Sequence, residues 1–230
     1  MKEGREKDFD LQDWELSLAA DRKVYQNGCL FSVFKACNRW RKLNMVYFQE
    51  VRWHGRGGQG AWTASELLAR AAVKEGKYIQ SFPEFGPERM GAPVRAYTRI
   101  SDGPINLHCA IYEPDVVAIL DASLIKTVPV TEGLQEDGVL TVNTRESPAE
   151  LRKRLDLRGQ KIWTASATDI AVEILGRPIA NTAMLGTLAR ATGIVSLKSI
   201  GEAVKERFPL KIAEKNVVAM KKAYEEARSG

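Results

Sequence analysis

The chain has 230 residues, 44% of them hydrophobic, and a net charge of +5. That is long and apolar enough for one large α/β domain, with or without an appendage, and it excludes wholesale disorder. The charge excess is spread, +2 over residues 1–44 and +3 over the rest, so no basic tract points to nucleic acid.

Cys29, Cys37 and Cys109 show no C-x-x-C spacing, and the two histidines, His54 and His108, add no metal-ligand cluster. The expectation for each cysteine is a buried thiol in a reducing compartment. No run approaches the ~20 apolar residues of a membrane span. The N-terminus lacks a signal-peptide core, so a cytoplasmic protein with no membrane partner is expected.

Residues 1–44 differ in character from the rest of the chain. Asp13 to Tyr25 fits a short helix with Trp14 and Leu18 on one side, Cys29 to Ala36 is apolar, and Arg39, Arg41 and Lys42 form a basic run. One reading is an N-terminal extension. The other is a start assigned too early, with Met45 the true initiator. The strand directly after Met45 favours the second, and residues 45–230 are the expected domain.

Val46 to Trp53 is rich in β-branched and aromatic residues and reads as a strand. His54-Gly55-Arg56-Gly57-Gly58-Gln59-Gly60 comes next, and Ala61 to Ala72 then recurs at helical spacing. Gly55, Gly57 and Gly60 fit G-x-G-x-x-G, with Gly58 a fourth glycine. Glycine permits positive φ and close approach of another group. A turn that opens a helix aims unpaired N–H groups and the positive end of the helix dipole at one point, a cradle for phosphate. The motif alone is weak, and its strand-to-helix setting strengthens it. The plain alternative is a tight turn with no ligand.

Gly76 suits a helix C-terminus, and Tyr78 to Phe82 reads as a second strand. Pro83 to Pro93 holds three prolines and two glycines in eleven residues, an irregular loop of the kind that carries function. Chain order puts it on the same sheet edge as the glycine loop, where ligands of open α/β sheets bind. Val94 to Ile100 and Ile105 to Ile111 alternate at period two around Ser101-Asp102-Gly103-Pro104 and read as a hairpin. Val116 to Leu120 is continuously apolar, as in a strand buried on both faces. Asp121 ends it as a ligand group or, preferably, a helix cap.

Gly138 to Asn143 is another strand. Ser147-Pro148-Ala149-Glu150 is a capping box opening a helix over Pro148 to Leu155. Lys161 to Ala165 is a strand. Helices are expected over Ala167 to Leu175, from Asn181 to about Thr192, over Leu197 to Phe208 and over Ile212 to Ala227. This alternation predicts a Rossmann-like three-layer α/β/α fold with a mostly parallel sheet and an inserted antiparallel hairpin.

Three motifs, in this order, carry a resemblance: Trp53 to Gly60, Phe82 to Pro93, and Pro178-Ile179-Ala180-Asn181-Thr182-Ala183-Met184-Leu185-Gly186. From about Met45 onward the chain resembles the gamma subunit of 2-oxoacid:ferredoxin oxidoreductases, most of all the pyruvate or pyruvate/2-ketoisovalerate enzymes. The resemblance implies a hetero-oligomer with alpha, beta and delta subunits. It would decarboxylate a 2-oxoacid on thiamine diphosphate with magnesium, pass electrons through [4Fe-4S] clusters to ferredoxin, and transfer the acyl group to coenzyme A. The clusters need sets of cysteine thiolates that this chain lacks, so those cofactors would sit on other subunits and this chain alone would be inactive. Coenzyme A, which carries a pyrophosphate and a 3′-phosphate, becomes the expected owner of the glycine loop. Gly55, Gly57, Gly58 and Gly60 would admit the pyrophosphate, Arg56 and Arg89 would supply charge, and Gln59 a hydrogen bond. The alternative for Arg89 is a salt bridge to Glu84 or Glu88 or to a neighbouring subunit. His54, without an adjoining acid or nucleophile, is expected to be structural. Two other functions compete: a stand-alone NAD(P)-binding oxidoreductase with Glu84 near the ribose, and a non-catalytic scaffold.

Overall fold

The computed structural model describes residues 48–84, 90–107 and 109–230. The expected extension, 1–44, lies outside them. Seven strands form one sheet in the order β2-β3-β1-β4-β5-β6-β7. They are β1 (Phe48–Arg56), β2 (Tyr78–Pro83), β3 (Pro93–Ser101), β4 (Val116–Ile119), β5 (Val139–Asn143), β6 (Lys161–Ala165) and β7 (Arg228–Ser229). β1, β4, β5 and β6 pair in parallel, while β3 runs antiparallel to both β1 and β2, and β7 antiparallel to β6. β2 therefore points the same way as β1, and only β3 and β7 oppose the common direction.

The helices are α1 (Ala61–Lys74), α2 (Pro148–Leu155), α3 (Ala167–Leu175), α4 (Asn181–Thr192), α5 (Leu197–Arg207) and α6 (Leu210–Glu226), with a 3₁₀ turn at Ala122–Lys126. Side chains alternate across the pleat and so feed two cores. Val116, Ala118 and Leu120 join Val51 and Trp53 under α1, α3, α4, α5 and α6. Val117 and Ile119 join Leu140, Val142 and Ile162 under α2 and the 3₁₀ turn. This is the expected three-layer arrangement.

Local signals act as read. Ser147 and Glu150 form the reciprocal capping box of α2, with Pro148 in its first turn. Asp121 caps the 3₁₀ turn by accepting from the Ser123 N–H. α4 packs closely on α6 because Gly186 has no side chain: a Cβ there would strike the Met220 carbonyl.

Two expectations are corrected. The hairpin's arms are β2 and β3, joined through the proline-rich loop, not 94–100 with 105–111. Residues 105–107 and 109–111 take no strand conformation. β3 already has β1 and β2 on its two sides, so no ladder position is left beside it. Cys109 is disulfide-bonded and not the expected free thiol.

The second face of β1 and β3 is polar yet buried. Glu50, Arg52, His54 and Arg99 all lie there. The Arg99 Nε donates to Glu50 Oε1 at 2.7 Å and its Nη1 to Gln80 Oε1 at 2.6 Å. The Arg52 Nη2 donates to the carbonyls of Val130 at 3.1 Å and Glu132 at 2.5 Å. Each buried charge is thus matched to hydrogen-bond partners, as burial requires.

Candidate functional site

The glycine loop begins inside β1. Gly55 sits in the strand, and the space a Cβ would take is closed by Ala61 Cβ at 3.2 Å and Leu120 Cδ1 at 3.3 Å. The chain turns where the Gln59 N–H donates to the Arg56 carbonyl at 3.0 Å. Gly58 (φ 92°) and Gly60 (φ 76°) are left-handed, the conformation that favours glycine. Gly60 is the N-cap of α1, and no side chain caps that helix. The first-turn N–H groups of α1 therefore face outward with the positive end of the dipole. Asn181 presses against Gly60, which ties the start of α4 to the loop.

The proline-rich loop meets the glycine loop, as chain order predicts. The Gly57 N–H donates to the Ala92 carbonyl at 2.9 Å, and the Gly91 N–H to the Gly57 carbonyl at 3.1 Å. Between them opens a cleft of about 500 Å³, walled by Arg56, Gly57, Gly58 and Gly60, by Trp62 and Thr63 of α1, and by Glu84, Met90 and Arg95.

The expected ligand groups divide into backbone and brace. Arg56 spends its guanidinium on the loop: Nε donates to Asp121 Oδ2 at 3.0 Å, Nη1 to the Gly91 carbonyl at 3.0 Å and Nη2 to Ser123 Oγ at 2.8 Å. Gln59 accepts from the Arg56 N–H at 2.8 Å and donates to Asp121 Oδ2 at 2.9 Å. The glycine backbone and Arg56 line the cleft, while the bonds made by Arg56 and Gln59 brace the loop. Arg89 and Glu88 lie outside the described residues.

Asp121, expected as a ligand group or, preferably, a cap, is the cap and also the hub of the loop. Burial works to raise its pKa, but the hydrogen bonds from Ser123 and Gln59 and the charge of Arg56 outweigh it and hold the carboxyl below its usual value. Its position at the carboxyl end of β4, beside the glycine loop across the β1–β4 pair, is the crevice position of open α/β sheets.

Arg95 and Tyr97 were missed altogether. Their period-two spacing in β3 puts both on one face with Glu84 and is the signal that would have found them. Arg95 is ion-paired with Glu84: its Nη2 donates to Oε1 at 2.9 Å, and its Nε lies 2.7 Å from Oε2. The Tyr97 hydroxyl donates to Glu84 Oε2 at 2.6 Å. Glu84, the acid a ribose-binding reading needs, is thus committed to its own neighbours.

His54 is buried and accepts from the Arg52 Nε at 3.1 Å. Burial first, then the charges of Arg52 and Arg95, push its pKa down to about 3. It is a neutral acceptor in the wall of the sheet. Among the described residues no group of three or more His, Cys, Asp or Glu converges to hold a metal ion. None of the described helices is long and apolar enough to cross a membrane.

The family model described as pyruvate ferredoxin/flavodoxin oxidoreductase matches residues 50–226. The chain is 55% identical over 175 residues to the pyruvate/ketoisovalerate oxidoreductases common subunit gamma of Thermococcus kodakarensis, covering 76% of this chain and 95% of the relative. Among solved structures it is similar to the pyruvate oxidoreductase subunit PORC of Thermotoga maritima, with 44% identity and a TM-score of 0.72 over 80% of this chain and 98% of that one. The fold also recurs in a 2-oxoglutarate:ferredoxin oxidoreductase from Magnetococcus marinus with coenzyme A bound, at 17% identity and a TM-score of 0.62, over 76% of this chain and 30% of that one.

Proposed function

This chain belongs to the pyruvate ferredoxin/flavodoxin oxidoreductase family, and from that premise we propose where in the reaction it acts. It is the gamma subunit of a 2-oxoacid:ferredoxin oxidoreductase, one subunit of a multi-subunit enzyme. Our reading is that it receives the phosphates of coenzyme A in the cleft beside the glycine loop. Alpha, beta and delta subunits in the cytoplasm would complete the enzyme, with ferredoxin as acceptor and pyruvate or a related 2-oxoacid as donor. Thiamine diphosphate with magnesium would supply the decarboxylation and [4Fe-4S] clusters the electron path, all on those other subunits.

The observation that carries the reading is the uncapped start of α1 opening into a cleft whose floor is glycine backbone. Backbone N–H groups of Gly58 and the first turn of α1 would take phosphate oxygens. Arg56 and Gln59 would act one step back, by fixing the curvature of the loop, and Arg95 would supply charge from the wall. The related fold with coenzyme A bound is in keeping with this.

The assembled enzyme offers the test. Gly57→Val puts a branched side chain where the ligand's phosphates would lie. The apparent KM for coenzyme A should rise at least tenfold, while 2-oxoacid-dependent transfer of the first electron stays normal. If oxoacid turnover collapses and the coenzyme A dependence does not move, the loop serves subunit packing and the proposal fails.

A further inference from the structure

We propose that Glu84 is a built-in placeholder for phosphate: it holds the Arg95 fork until a phosphate or pyrophosphate enters the cleft and takes that fork over, leaving Glu84 to Tyr97. The inference rests on the reading above that this cleft receives phosphates. It goes further by naming the residue that exchanges and the class of anion that can displace it.

Two arginines line the cleft among the described residues, and they are held differently. Arg56 donates to three separate acceptors, on Asp121, Gly91 and Ser123, so moving it would dismantle the loop. Arg95 is held at its tip by one carboxylate, through a hydrogen bond of 2.9 Å and an ion-pair contact of 2.7 Å. Two phosphate oxygens match the same planar fork. The Arg95 and Glu84 side chains are 40% and 39% exposed, so water screens their attraction and the pair is cheap to open.

Opening it would not unravel the loop. The Glu84 N–H donates to the Arg95 carbonyl at 3.0 Å, so the two backbones stay joined when the side chains part. Glu84 also keeps a partner, because the Tyr97 hydroxyl already donates to it. Burial of Tyr97, reinforced by that bond, raises its pKa above the ordinary tyrosine value, so the hydroxyl remains a donor across the working range. Arg95 itself stands on β3, registered opposite His54 of β1, so its guanidinium is presented from a rigid element.

The device sorts anions by charge. A dianionic phosphate or a pyrophosphate outcompetes a single carboxylate for the fork. The carboxylate of a 2-oxoacid only replaces like with like and gains nothing. The cleft would then be filtered against the enzyme's other anionic substrate.

Calorimetric titration of the full chain with coenzyme A, with pyrophosphate and with pyruvate, at fixed ionic strength, tests this. Glu84→Gln should tighten coenzyme A and pyrophosphate about three- to tenfold by removing the competitor. Arg95→Ala should weaken both about tenfold. In the double variant the gain from Gln should vanish, since the two residues act through one contact. Thermal midpoints within a few degrees of the parent would show that each variant is folded. The exchange is overturned if Glu84→Gln leaves both ligands unchanged or weakens them, or if its gain survives Arg95→Ala. If pyrophosphate obeys the expected pattern but coenzyme A does not bind, the exchange stands and the coenzyme A reading fails. If coenzyme A binds with no response to Glu84, the reverse holds. If neither ligand binds any of these proteins, both are wrong.

Discussion

Removing Asp121 tests whether the glycine loop is held from behind. Its carboxylate accepts three bonds: from the Ser123 N–H at 2.9 Å, from Gln59 Nε2 at 2.9 Å and from Arg56 Nε at 3.0 Å. The first is a helix-cap bond, worth about 1 kcal/mol, and the second a neutral donor bond of about the same size. The third is an ion pair with side chains 30% and 21% exposed, which screening limits to about 1 kcal/mol or less. Asp121→Ala should therefore cost about 2–3 kcal/mol, a fall of roughly 5–10 °C in Tm for a body of this size.

The pH dependence carries the sharper test. The folded pKa of Asp121 lies below its unfolded value. Its stabilisation is thus complete above the unfolded value of about 4 and is lost as pH falls through the folded one. Urea denaturation monitored by tryptophan fluorescence should show a gap between parent and variant at pH 7 that narrows below pH 4. A gap that persists unchanged at pH 3, or no gap at pH 7, would refute the account of Asp121 as the loop's anchor.

Gly186→Ala should destabilise by about 3 kcal/mol in thermal denaturation, because the new methyl group meets the Met220 backbone, which cannot move without shifting α6. Arg99→Leu should cost about 3–5 kcal/mol by breaking the buried ion pair with Glu50, and replacing both with apolar residues should recover most of the loss. The His54 imidazole should show no titration by NMR between pH 8 and pH 4.5, because its pKa is pushed down to about 3. Since that value is below the unfolded one of about 6.5, its contribution to stability is complete above 6.5 and declines as pH falls from there toward 3.

The fold was legible because its signals are local. The capping box at Ser147, the left-handed glycine at Gly176 after α3 and the unbroken apolar run at Val116 each dictate their own few residues. The hairpin was misread because period-two alternation says that a segment suits a strand but not which strand it meets. Residues 105–111 alternate as well as β3 does, and lose because β1 and β2 already hold both sides of β3. The same limit hid the site. The glycine spacing announces a backbone cradle. Whether Arg56 faces a ligand or braces the loop depends on Asp121 and Ser123, more than sixty residues away. Likewise Arg95 and Glu84 are eleven residues apart, and nothing in either one names the other.

The layer built from α1 and α3 to α6 has a consequence for how the chain is made. β1 leaves the ribosome early, yet Val51 and Trp53 on its inner face share a core with Met184, Leu185 and Leu188 of α4 and with Met220 and Ala223 of α6. A nascent chain stalled near Gly176 would carry β1, β4, β5 and β6, but neither α4 nor α6. Its central strands would then lack the part of their apolar cover that α4 and α6 supply. This core cannot close until translation is nearly finished. The residues from Asn181 onward therefore set the time for which the growing polypeptide needs shelter.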